Sequence, residues 1–165
     1  MSILIISLPR TGSTSLLYKL ANERGLIPLF EPFDGTNRFR YSGENNVIVK
    51  TIVPHHIDNL KLSEEFDEVI LLSRRNLLEC AESHAYQTYF SKTKNYNSNT
   101  QYYYEDVPID IFELCYIDII KWDNELVKLS DVLHIPITYY EDIYDMSSKD
   151  RLRLGNKNNL KKSLI

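Results

Sequence analysis

Short apolar runs alternate along the chain with stretches whose apolar residues recur every three or four positions. Residues 3–7 form a continuous apolar run, the pattern of a strand covered on both faces within a parallel sheet. Pro9-Arg10-Thr11-Gly12-Ser13-Thr14-Ser15 follows directly, then Leu16, Leu17, Leu20 and Ala21 at helical spacing, with Gly25 placed to end that helix. Residues 27–30 predict a second short strand leading into Glu31-Pro32-Phe33. Residues 47–51 and 69–72 predict two more, the latter ending in Ser73-Arg74-Arg75. Asn76 is placed to cap a helix reaching residue 90. Phe112, Cys115, Ile119, Trp122, Leu126 and Leu129 mark the longest helix, over 109–130. Residues 135–140 give the last strand, closed by Tyr140-Glu141-Asp142. Strands alternating with helices imply a three-layer α/β fold, with a mainly parallel sheet of four to five strands flanked by helices.

Two connections stand out. Residues 34–46 are rich in Asp, Gly, Asn and Ser and predict an exposed loop. Residues 92–105 are polar, hold several Asn and Tyr, and exceed the usual helix connection, which suits a functional lid or a mobile segment.

At 165 residues, 43% apolar and 25% charged, the chain fits one globular domain over 1–165 that needs no staple. Two cysteines, Cys80 and Cys115, are too few for a secreted disulfide scaffold and suit a reducing compartment. They fall on apolar helix faces and are expected in the core, as is Trp122. No signal-peptide pattern opens the chain and no apolar run approaches a membrane span, so the expectation is a soluble, cytoplasmic protein without a membrane partner. The net charge of −4 argues against a nucleic-acid partner. It is unevenly spread: residues 147–165 hold six basic residues and one acidic, a local +5, and the 13 basic and 22 acidic residues before them carry −9. Such a basic tail is a solvated end or an anion-binding flap.

The turn at 8–15 carries the strongest chemical signal. A strand feeding a glycine-containing turn into a helix N-terminus aims backbone N–H groups and the positive end of the helix dipole at one point. Ser13, Thr14 and Ser15 add hydroxyls and Arg10 adds a charge, so the site suits a phosphate. It is not an ATP-type P-loop, in which Gly precedes Gly-Lys-Ser/Thr by four residues. Here Ser13 follows Gly12, position 7 is Ser, and the cation, Arg10, has moved ahead of the glycine. A strand ending in Arg74-Arg75 also suits a second phosphate better than a magnesium-holding aspartate.

Ser7-Leu8-Pro9-Arg10-Thr11-Gly12-Ser13-Thr14-Ser15-Leu16 resembles the 5′-phosphosulfate loop of sulfotransferases, which use 3′-phosphoadenosine 5′-phosphosulfate (PAPS) as co-substrate and need no metal. Arg75-Asn76 followed by Ser83 is similar to that family's Arg and, eight positions on, Ser, which hold the nucleotide's 3′-phosphate. With Asn76 starting the helix, Ser83 returns to the same face after about two turns. Val47-Ile48-Val49-Lys50-Thr51 is similar to the strand whose lysine neutralises the transferring group, and Thr138-Tyr139-Tyr140-Glu141-Asp142-Ile143 resembles a late element taken as mainly structural.

The resemblance implies a transferase that moves a sulfuryl group from PAPS to an acceptor hydroxyl or amine. Arg10, Thr11, Gly12, Ser13, Thr14 and Ser15 would bind the 5′ end, Arg75 and Ser83 the 3′-phosphate, and Lys50 the sulfuryl group.

The catalytic base is the point of departure. Many cytosolic members carry His two positions after that lysine, where this chain has Ile52. Glu31, in Leu29-Phe30-Glu31-Pro32-Phe33, resembles the glutamate base of bacterial and tyrosylprotein-type relatives, and its apolar neighbours would desolvate it as a base requires. His55 and His56 are the alternatives, and a surface carboxylate is the bland reading of Glu31. Arg153-Leu154-Gly155-Asn156-Lys157 would replace the family's late basic loop over the nucleotide. Tyr86, Tyr89, Tyr96, Tyr102, Tyr103 and Tyr104 are placed either to line a cleft for a small-molecule or glycan acceptor or to anchor the loop. A magnesium-dependent P-loop kinase and a non-catalytic nucleotide-binding module are the alternative functions.

Overall fold

A computed structural model describes residues 1–33, 41, 43–55, 58–93 and 107–143. Five strands form one sheet: β1 (Ser2–Ser7), β2 (Ile27–Phe30), β3 (Val47–Ile52), β4 (Glu68–Ser73) and β5 (Ile137–Tyr139). Their order is β2-β3-β1-β4-β5 and every pairing is parallel. The register sets Ile5 beside Lys50 and Phe30 beside Lys50 on its other side, so three strands end close together.

Alternation along the buried strands divides the core in two. Ile3, Ile5, Ile48 and Leu72 face α1 (Ser13–Arg24), packing with Leu16, Leu17 and Ala21. Leu4, Ile6, Val47, Val49 and Leu71 face the opposite layer, packing with Cys80 and Ala81 of α3 (Leu77–Thr93) and with Ile119 and Leu126 of α4 (Ile109–Leu133). The α/β architecture is therefore helix on sheet on helix, the arrangement that a continuous apolar run such as Ile3-Leu4-Ile5-Ile6 demands.

Because the sheet is parallel, the turns after β1, β2, β3 and β4 share one edge. α1 leaves β1 on one face and α3 follows β4 on the other, so a crevice opens between these neighbouring strands at their C-terminal ends.

Element ends have local causes. Gly25 (φ 64°) ends α1 in the left-handed conformation, its N–H reaching Ala21 O. Asn76 Oδ1 accepts from Glu79 N at 3.2 Å, the cap expected for α3. Several boundaries differ from the sequence pattern by one to three residues, and two of these have a visible cause. α4 runs on to Leu133, where His134 (φ 55°) takes the position usually left to glycine. The last strand is Ile137–Tyr139 rather than 135–140, because Ile135 N is taken by Ser130 O and Tyr140 opens the short helix α5 (Tyr140–Ile143). The short helix α2 (Asn59–Ser63), capped by Asp58 accepting from Lys61 N, carries no apolar period to reveal it. Among the described residues no helix is long and apolar enough to cross a membrane.

Candidate functional site

The turn after β1 is bent twice into the left-handed region, at Arg10 (φ 62°) and at Gly12 (φ 72°). Placing such residues beside right-handed ones turns successive N–H groups toward one concavity. Thr11 is fully buried and spends its hydroxyl on the turn, donating to Leu8 O at 2.8 Å. Cys80 Sγ lies 2.9 Å from Pro9 O and pins the start of α3 beneath the turn. Ser13 is buried, Thr14 half-buried and Ser15 exposed, and no side chain caps α1.

Lys50 reaches this turn from β3. Strand alternation puts it on the α1 side with Ile48, where its Nζ donates to Thr14 Oγ1 at 3.2 Å and lies 4.2 Å from the centre of the Phe30 ring. It pairs with Glu31, which follows β2 directly; Glu31 N also bonds to Lys50 O at 2.9 Å, prolonging the sheet by one residue. Glu31 is held at φ 44°, a backbone cost that non-glycine residues bear mainly where surrounding structure fixes them. The side chains of Lys50 and Glu31 are 6% and 14% exposed, so the bland surface reading of Glu31 does not describe it. Burial holds the Lys50 ammonium below its ordinary pKa, the Glu31 hydrogen bond and charge oppose this, and Arg10 adds to the lowering. His55, on a 3-10 turn at Val53–His55, places Nδ1 3.7 Å from Glu31 Oε2.

The second anion site is arranged differently from the sequence expectation. Ser83 meets Arg10, whose Nε donates to Ser83 Oγ at 2.8 Å while Nη1 lies 3.5 Å from Gln87 Oε1. Arg10 thus spans the crevice from the β1 turn to α3. Arg75 turns toward α5, forming a bidentate pair with Asp142 at 2.5 and 2.8 Å and stacking 4.4 Å from the Tyr139 ring centre. Its backbone N–H donates to Glu141 Oε2 at 3.0 Å, and Arg74 pairs with Glu79 at 2.6 Å. The Tyr140-Glu141-Asp142 segment therefore has a visible structural task, tethering the strand-end arginines.

Sequence reasoning passed over Gln87, four residues after Ser83 on the same helix face, and the Arg75–Asp142 match; i,i+4 spacing and opposite charge were the available signals. Cys80 is fully buried and Cys115 nearly so; neither forms a disulfide, and burial pushes the Cys80 thiol up to about 12. Trp122 lies partly buried against His84. Tyr86 and Tyr89 both pack on Phe90. His56, Tyr96, Tyr102, Tyr103 and Tyr104, most of the 34–46 loop and the 147–165 tail with Arg153 and Lys157 lie outside the described residues. Among the described residues no cluster of His, Cys, Asp or Glu is placed to hold a metal ion. Comparison of the chain with protein-family models, with curated proteins and with solved structures finds no match in any of the three.

Proposed function

We propose that this protein is a cytoplasmic PAPS-dependent sulfotransferase with a P-loop-like donor site, acting on the hydroxyl or amine of a small-molecule or glycan acceptor. The observation that carries this reading is the setting of Lys50: a buried ammonium between the first turn of α1, through Thr14, and the carboxylate of Glu31. Transfer of an anionic group between two oxygens needs a cradle for the donor, a cation at the moving group and a base facing it. The sheet edge brings residue types for all three together.

In this reading Arg10 and the backbone of residues 11–15 hold the 5′-phosphosulfate. Ser83, with Arg10 beside it and Arg75 released from Asp142, holds the 3′-phosphate. The acceptor's proton passes to Glu31, the acceptor oxygen bonds to sulfur, and the bond from sulfur to the bridging oxygen breaks. The electron pair leaves with 3′-phosphoadenosine 5′-phosphate (PAP). Lys50 offsets negative charge on the sulfuryl oxygens during the exchange. His55 Nδ1 lies 3.7 Å from Glu31 Oε2, beyond hydrogen-bond distance, and needs a small side-chain movement to contact the carboxylate. Two buried cysteines outside any disulfide suit the reducing cytoplasm.

Calorimetric titration with PAP in the absence of metal, beside ATP with Mg²⁺, tests the donor site. Micromolar PAP binding, weak ATP binding and a loss of about tenfold or more in Arg75→Ala are expected. A preference for ATP with Mg²⁺ overturns the reading in favour of a kinase. Tight PAP binding without turnover on an acceptor panel overturns it in favour of a non-catalytic module.

A further inference from the structure

Lys50 Nζ has partners on two different elements. Glu31, at the end of β2, pairs with it as a carboxylate, and Thr14 Oγ1, in the first turn of α1, lies 3.2 Å away. Both charged side chains are largely withdrawn from water, so solvent screens their attraction little. A lysine ammonium carries three donors on a flexible four-carbon stem, and it can change partners without backbone movement. The Thr14 hydroxyl therefore marks a direction in which Nζ can move, toward the turn at residues 8–15.

We infer that the Glu31–Lys50 ion pair is a donor-sensing switch: a sulfuryl group seated beside the 8–15 turn draws Lys50 away from Glu31, and only then is the Glu31 carboxylate available for the acceptor's proton. This inference rests on the sulfotransferase reading. No covalent bond changes in the exchange; one cation passes from one anion to another.

The physical argument is competition in a poorly solvated place. A carboxylate oxygen already occupied by an ammonium donor is not open to an acceptor's hydroxyl, so Lys50 must leave before the acceptor can reach it. An arriving anion offers Lys50 a second counter-charge, and burial is the leading cause disfavouring its charged form. Charged or titratable groups facing the pair among the described residues include His55, 3.7 Å from Glu31 Oε2, and Arg10, whose charge acts on Lys50. Arg10 favours the same anion. His55 Nδ1, at 3.7 Å, is not hydrogen-bonded to Glu31 and does not hold the carboxylate back from an acceptor. The base is thus masked until the donor arrives, and an acceptor that binds first is not deprotonated.

The test is a double-mutant cycle on the full chain, read by calorimetry at neutral pH with PAPS and, separately, PAP. Donor binding to the unmodified protein must break the ion pair, so Glu31→Gln is expected to tighten PAPS about tenfold. PAP lacks the sulfuryl group, and its affinity is expected to change by less than about twofold. The tightening should vanish in the Lys50→Met background, which isolates the pairwise coupling. Should Glu31→Gln fail to fold, Glu31→Asp retracts the carboxylate while keeping its charge, and the same sign at about threefold is expected. If PAPS binds the unmodified protein yet neither variant tightens it, the switch is overturned and the sulfotransferase reading stands. If neither nucleotide binds the unmodified protein, the sulfotransferase reading falls and the switch with it.

Discussion

Lys50 and Arg75 both stand at the C-terminal edge of the sheet, and both hold a carboxylate. Lys50 is buried in the α1 layer beside Glu31, with side chains 6% and 14% exposed; Arg75 meets Asp142 at the surface, with both side chains more than half exposed. The contrast teaches that ion-pair geometry alone says little about energy. Arg75–Asp142 has the better bidentate geometry, yet water competes for both partners and salt screens them. Glu31–Lys50 is weakly screened, and removing either member strands the other in the core. The same contrast divides their tasks in the proposed reaction. A surface pair can open for a nucleotide phosphate at little cost, whereas a buried pair exchanges partners only when another anion takes its place.

The comparison breaks most visibly at Lys50. Lys50→Met is expected to cut sulfuryl transfer by about a thousandfold or more, because charge on the moving group goes unanswered. It should also destabilise the fold by about 3 kcal/mol, since Glu31 keeps its burial and loses its ammonium. Steady-state rates and urea melts read the two effects separately, and a stability loss below about 1 kcal/mol would show that water reaches the pair after all. Arg10→Ala comes next, with an expected loss of about tenfold or more in PAP affinity, while Ser83→Ala should lose about threefold. Calorimetry checks both, and an unchanged affinity in Arg10→Ala would remove that residue from the donor site.

Two smaller effects sharpen the contrast from the α3 and α5 side. His84 sits against Trp122, and burial, followed by the charge of Arg10, holds its imidazole below the ordinary 6.5. Between 6.5 and that lowered value the unfolded chain binds a proton that the folded chain does not, so stability should fall as pH falls through this window. His84→Gln should flatten that slope in urea melts taken across the window. Asp142→Asn is expected to leave the urea midpoint unmoved, because its carboxylate and the Arg75 guanidinium are both well hydrated. A clear shift would mean that α5 is held to the sheet by this pair and not by Tyr140 packing.

Much of the fold was legible because the central strands β1 and β3 are buried on both faces. Ile3-Leu4-Ile5-Ile6 and Val47-Ile48-Val49 admit few alternatives, and Ile27–Phe30 was recognisable from the turn residues around it. Lys50 and Glu31 were singled out from sequence by resemblance, since residues 47–51 and 29–33 are similar to sulfotransferase segments that carry a lysine and a glutamate. Their mutual contact could not be read, because it depends on β2 pairing with β3 across the intervening loop, and nothing local encodes that register. The contact between Arg10 and Ser83 could not be read for a related reason. Arg75 lies on the same strand–helix unit as Ser83, but Arg10 arrives from a turn more than seventy residues earlier in the chain. Local spacing favoured the near arginine, and the crevice between β1 and β4 delivered the distant one.

The bond from Cys80 to Pro9 O has a use outside the reaction. Both cysteines are buried, and the Cys80 thiol is pushed up to about 12, so a thiol reagent has almost no thiolate to attack in the closed molecule. Chemical labelling of Cys80 must wait for α3 to lift from the turn it pins. In a Cys115→Ala background, the rate of that labelling is a clock for how often the 8–15 turn and α3 come apart, and in the proposed reaction a nucleotide bridging the two should slow it.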